Sequence, residues 1–232
     1  MTTSGTNNFV NTAASGLTLV AFSRIGIRRT EITAQHLSDA VTEANLLQVT
    51  VGNNQPNLWR SAVTTISLTE GTAAYNLPAT LIAVQDIYLT TTSGGTSTDR
   101  MMYPLTLFEY DSQPNKTTQA PPTSYLIQKI IPTPTITFWQ VPDGNATYTA
   151  NVRYLSQIYD ASQISGTTLD VPYTYLDVYV AGLAHRLSRI YAPDKEQLRK
   201  QDYMEALDAA QKTDTQDSTS MYVSPVFSSY YR

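Results

Sequence analysis

The chain contains no cysteine. Disulfide scaffolds, thiolate zinc sites, iron–sulfur clusters and cysteine nucleophiles are therefore excluded. Histidine is nearly as scarce. His36 and His185 are the only two, so one chain cannot supply a multi-histidine metal site. Charged residues make up 15% of the sequence and the net charge is −4. An average soluble domain carries roughly 25% charged residues. A mildly acidic, charge-poor chain does not grip nucleic acid through a basic face. No apolar run approaches the roughly 20 residues of a membrane-spanning helix. The first eight residues are polar without a basic start, so no secretory signal is read there and synthesis in a cytoplasm is expected. No phosphate-binding glycine loop is found, because Gly94-Gly95 leads into Thr-Ser-Thr rather than Gly-Lys-Ser. No Gly-x-Ser-x-Gly elbow is found either.

Neutral polar and aromatic residues stand where the charges are missing. There are 34 threonines and 16 tyrosines among 232 residues. Threonine and tyrosine favour strands. Tyrosine also offers rigid contact area with one polar handle, which suits interfaces. Hydrophobic residues reach 41%, enough for a real core, and the length allows one large domain or two small ones.

Periodicity divides the chain into helices, strands and helices again. Leu17, Val20, Ala21 and Ile25 make one stripe of a first helix over residues 12–25, which Gly26 stops. Arg28 and Arg29 read as a solvated turn. Thr33 caps a second helix, with Ile32 and Leu37 as its hydrophobic staple. Its stripe is Leu37, Ala40, Val41, Ala44, Leu47 and Val51. From Trp59 the period changes to two, as in half-buried strands. Strands are predicted over 64–69, 73–77, 82–90 and 124–131, with a loop or hairpin tip over 91–100. The clearest hairpin pairs 135–141 with 147–155 around Pro142-Asp143-Gly144-Asn145. Its second strand places Tyr148, Ala150, Val152 and Tyr154 on one packed face. Helices return after Pro172, with the stripe Leu176, Val180, Leu183, Leu187 and Ile190. Pro193 separates that helix from a last one bearing Leu198, Tyr203, Ala206, Leu207 and Ala210. Glu196–Lys200 and Asp208–Lys212 are favourably ordered pairs on its outside.

This layout predicts an α+β protein: an antiparallel helical bundle of N- and C-terminal helices with an inserted antiparallel β-sheet or sandwich domain. The expected parts are an arm at 1–11, a bundle from 12–58 and 169–212, a β insertion at 59–168, and a C-terminal docking tail at 213–232.

Candidate chemistry is thin. His185 could orient Ser188 one turn away, but a histidine among bundle residues reads as structural. His36 has no partner ligands. Glu109 and Asp111 are two acids close together, on a loop or single turn, and would have to serve a hydrolase. The sequons at Asn115 and Asn145 are expected by chance in so threonine-rich a chain. No catalytic, cofactor or metal residue is assigned, and the chain is read as no enzyme. The strongest interaction signal is the tail. Met221, Tyr222, Val223, Pro225, Val226, Phe227, Tyr230, Tyr231 and Arg232 follow a polar linker and cannot build a core of their own. Such a segment returns to its own domain or docks on another chain as an added strand or anchor.

Several landmarks occur in a fixed order. Ile25-Gly26 ends the first helix, Ala44-Asn45-Leu46-Leu47 lies in the second, and Trp59 leads into strands. Then come Tyr75-Asn76-Leu77-Pro78, the strand Val84 to Leu89, and Tyr110-Asp111-Ser112-Gln113-Pro114-Asn115-Lys116. Pro-Thr-Ser-Tyr at 122–125, Trp-Gln-Val-Pro-Asp at 139–143 and Leu169-Asp170-Val171-Pro172 follow. The last opens a helix with Gly182-Leu183-Ala184-His185-Arg186-Leu187. Over most of residues 12–212 this series resembles the head-to-tail adaptor proteins of short-tailed bacteriophages, including the tail tubular protein A type. The resemblance implies a virion protein at the head–tail junction, in a twelve-subunit ring under the portal protein. DNA would pass through the centre without sequence-specific binding. The β part would lie near nozzle and fibre proteins, and the nine tail residues above would dock on the portal. A carbohydrate-binding tail or adhesin module on a helical stalk is the alternative, with Trp139 or Tyr154 as an aromatic platform.

Overall fold

The computed structural model describes residues 14–54, 58–161 and 168–214. The nine candidate tail residues from Met221 to Arg232 lie outside them, as does the N-terminal arm.

Helix α1 (Ala14–Ile25) ends in a Schellman closure: Gly26 N–H donates to Ser23 C=O and Ile27 N–H to Phe22 C=O, both at 3.1 Å. Its buried stripe is Thr18, Ala21, Phe22 and Ile25, whereas Val20 is exposed. The predicted stripe is thus turned by part of a turn, because a buried threonine reads as polar in the sequence. Helix α2 (Ala34–Asn54) starts as predicted, at Thr33. Thr33 Oγ1 accepts the His36 N–H at 3.4 Å, and Thr33 N–H donates to His36 Nδ1 at 3.0 Å. His36 therefore plays the return role that glutamate plays in a capping box.

Helix α4 (Leu176–Tyr191) is the axis of the helical part. It is buried on almost every side from Leu176 to Ser188, although Ile190 at its end is half-exposed. An element buried all round needs apolar or small residues all round, and Val178, Ala181, Gly182 and Ala184 supply them between the predicted stripe positions. α1, α2 and α5 (Glu196–Thr213) surround it. Leu198 on α5 is exposed, and Glu196 pairs with Arg189 at 3.1 Å rather than with Lys200. Asp208–Lys212 forms, but both partners are solvated and add little.

Gly182 marks the tightest contact. A Cβ there would lie 2.7 Å from Leu47 Cδ1 and 2.9 Å from Tyr203 Cε2. Alanine is a better helix former by about 1 kcal/mol, yet the overpacking term of roughly 1–3 kcal/mol should win. Gly182→Ala should therefore lower the urea midpoint. A raised midpoint would mean that α2 and α5 do not close on this glycine.

The β part is a sandwich of two four-stranded sheets, ordered β1-β8-β3-β4 and β2-β7-β6-β5. The strands are β1 (Ser61–Leu68), β2 (Ala74–Asn76), β3 (Leu81–Ser93), β4 (Thr96–Met101), β5 (Tyr103–Pro104), β6 (Ser124–Gln128), β7 (Thr135–Trp139) and β8 (Thr147–Ser156). Helix α3 (Leu107–Asp111) follows β5. Tyr148, Ala150, Val152 and Tyr154 face a core completed by Ile87, Leu89, Ile136 and Phe138. The face predicted for β8 is the one it buries.

One sequence expectation fails here and another is narrowed. The hairpin of 135–141 with 147–155 does not form: β7 and β8 belong to different sheets. The intervening turn is an arch between layers. Asp143 holds it by accepting the Tyr148 hydroxyl at 2.8 Å, the Asn145 N–H at 3.1 Å and the Asn145 side-chain amide at 2.8 Å. A hairpin and a sandwich arch show the same alternation and the same turn residues, so the pattern does not separate them. Of the loop or hairpin tip expected at 91–100, the structure has the hairpin tip, and most of the range is paired strand. Only Gly94-Gly95, both at positive φ, form the two-residue tip between Ser93 and Thr96.

A second cluster of buried residues forms around α4. Arg60 links it to the sandwich. Its Nε and Nη2 donate to Ser156 C=O at 2.8 and 2.5 Å, and Nη1 donates to Gly52 C=O at 3.2 Å. Burial pulls its pKa down from the usual arginine value, with Asp170 opposing.

Candidate functional site

Ser188, His185 and Glu109, three of the candidate catalytic residues, are engaged in structural contacts. Ser188 is fully buried, and its hydroxyl donates to the backbone carbonyl of His185 at 2.7 Å, not to the ring. The His185 ring stacks on Tyr203 with centroids 6.2 Å apart, and Nε2 lies 3.8 Å from Glu196 Oε1. No nucleophile–base pair arises between the two residues.

Burial, followed by the nearby Arg189 charge, lowers the His185 pKa from its ordinary value of 6.5. Lys200 and Arg186 push the same way, and Glu196 opposes them. The sign follows directly: below about pH 6.5 the unfolded chain binds a proton that the folded chain resists, so this group makes stability fall on acidification. His185→Gln should flatten the stability–pH curve below about pH 6.5. Urea titrations at several pH values check this, and an unchanged slope would assign the acid sensitivity to other groups.

Glu109 caps α3. Its Oε2 accepts the Thr106 N–H at 2.7 Å and the Thr106 hydroxyl at 2.8 Å. Both bonds hold its carboxyl below the usual range. A hydrolytic pair needs one acid that stays protonated near neutral pH, and Glu109 is tuned in the opposite direction. The sugar-platform residues fare no better. Tyr154 lies inside the sandwich core, and half-buried Trp139 uses its indole N–H on Asn115 C=O at 3.2 Å. Tyr154 therefore cannot present a stacking face to a ligand.

Among the described residues, no three His, Cys, Asp or Glu gather as a metal cluster, and no helix is long and apolar enough to cross a membrane. A pocket of about 220 Å³ opens beside Arg60, lined by Asn45, Gln48, Val49, Gly52 and Asp160 among others. Small-molecule sites usually need roughly 300–1,000 Å³.

What the surface does offer is contact area. Met101, Tyr103, Leu107 and Phe108 are all exposed around the β4–β5–α3 corner, Phe108 at 82%. Ile130 and Ile131 are exposed on the loop after β6. Leu46 and Val49 are exposed on the outside of α2. Sequence reading did not single out these positions, because only the fold decides which apolar residues stay outside. Scattered exposed apolar residues are ordinary, but neighbouring groups of them mark interaction surfaces.

A family model described as SU10 adaptor protein matches residues 12–227, which takes in both the helical and the β parts. No curated protein matches the chain.

Proposed function

Because the chain belongs to the SU10 adaptor protein family, we propose that it is a structural component of a short-tailed bacteriophage, the adaptor that joins portal to tail. The family match over residues 12–227 carries this reading. The structural engagement of Ser188, His185 and Glu109 and the exposed apolar groups support it.

In this reading the subunits assemble head to tail into a closed ring of about twelve, the expected form for identical heterologous contacts. The helical bundle, 12–58 with 169–212, faces the portal and the central channel. The β insertion, 59–168, lies outward toward nozzle and fibre proteins. A net charge of −4 suits a conduit, since a mildly acidic wall does not hold phosphate. The linker and tail, 213–232, dock on the portal through Met221, Tyr222, Val223, Pro225, Val226, Phe227, Tyr230, Tyr231 and Arg232. Function is assembly, and no turnover is assigned. The protein is made in the host cytoplasm and retained at the head–tail junction.

Gold-labelled antibody against the chain should mark virions at the single tail-bearing vertex. Label at fibre tips, or virions without label, would contradict an adaptor.

A further inference from the structure

β1 closes one side of its sheet, and among the described residues nothing pairs with its outer edge. Free edges are normally blunted by charge, proline, a bulge or shortness. β1 has none of these. Its sequence, Ser-Ala-Val-Thr-Thr-Ile-Ser-Leu, is uncharged and runs in unbroken register from Ser61↔Leu155 to Leu68↔Tyr148. The opposite edge strand, β4, carries Asp99 and Arg100. The core beside β1 is also open. Ala62, Ile66 and Leu68 pack toward the sandwich but are only half-buried, as is Thr64, while their neighbours on β8 are fully buried. On that side the facing sheet offers only three-residue β2, whose Tyr75 hydroxyl bonds to Thr69 just past β1.

The chain leaves the described structure near the start of this edge. Asp214 accepts the Tyr175 hydroxyl at 3.3 Å, and the Tyr175 ring lies 5.8 Å from that of Trp59, two residues ahead of β1. Residues 215–220 are polar, and Met-Tyr-Val-Ser-Pro-Val-Phe follows. In an extended strand Val223, Pro225 and Phe227 share one face, and Tyr222, Ser224 and Val226 share the other. That is one apolar face and one mixed face, matching the two faces of β1. Pro225 has no N–H, which an outermost strand tolerates when that backbone side faces solvent. The seven residues between Asp214 and Tyr222 reach at most about 29 Å. A strand as long as β1 spans about 27 Å, so joining the near end leaves this linker slack, whereas the far end would need it drawn nearly straight.

We propose that in the free subunit Tyr222–Phe227 of the same chain adds to the outer edge of β1, running parallel to it. Tyr222, Ser224 and Val226 turn their backbone groups to β1. Val223, Pro225 and Phe227 close over Ala62, Thr64 and Ile66. The same segment is assigned to the portal above, so docking strips it from β1; the pairing itself stands without that assignment.

The absence of native cysteine allows a clean test in the full-length chain without portal. Val63→Cys with Ser224→Cys should oxidise to a disulfide within one chain, at least about tenfold more than Ser97→Cys on β4 with Ser224→Cys, because neighbouring strands lie within bridging distance. No disulfide, equal yields from both pairs, or a disulfide between two chains would each overturn the assignment; the last would hand the edge to a second copy. Hydrogen exchange on the cysteine-free chain gives an independent readout. The β1 amides that do not bond to β8 should be protected, and Ser224→Pro should speed their exchange about tenfold or more. Fast exchange in both chains would also overturn it. Neither result bears on whether the protein is an adaptor.

Discussion

Leu183→Ala should destabilise the isolated subunit by about 2–5 kcal/mol. Leu183 is fully buried at the middle of α4, the helix that α1, α2 and α5 share. Three neighbours meeting on one axis cannot all move inward, so the cavity stays open and its cost adds to the lost transfer energy. Denaturant titration checks this. A change within about 0.5 kcal/mol is what a surface position gives, and it would remove α4 from the centre of the bundle.

Deleting Met221–Arg232 should cut portal binding by about a thousandfold or more. The deletion removes Tyr222, Phe227, Tyr230 and Tyr231 together. Aromatic anchors at interface centres are commonly worth about 2 kcal/mol or more each, and two such losses correspond to roughly a thousandfold. The thermal midpoint of the free subunit should fall by only a few degrees, because both buried clusters form among residues 14–214 and the tail covers only the half-buried rim at β1. Binding to immobilised portal rings, with melting curves alongside, separates the outcomes. Unchanged affinity would move the portal contact to the helical surface. A collapse of the melting temperature would make the tail part of a core.

The sequence carried the fold class and several local structures because those depend on near neighbours. Thr33 with the Ile32–Leu37 staple announces α2. Strict alternation announces β8 and its buried face. What stayed hidden depends on distant partners. Whether β7 turns back on β8 or arches to another sheet is decided by which strands lie beside each, and the turn at 142–145 serves both. The surroundings of α4 were hidden for the same reason: a stripe of Leu and Val shows one contact face, whereas the small residues Ala181, Gly182 and Ala184 show that the other faces are covered too. Thr18 was missed because its polarity hides its burial. At the functional level, the bare edge of β1 was not legible, since neither strand order nor the lack of a neighbour among the described residues is written in a strand's own residues.

The most direct measurement is electron microscopy of the purified chain, alone and mixed with portal rings from the same virus. Portal rings capped by an added ring-shaped layer in the mixture are expected of an adaptor. Unchanged portal rings beside free protein would contradict that assignment.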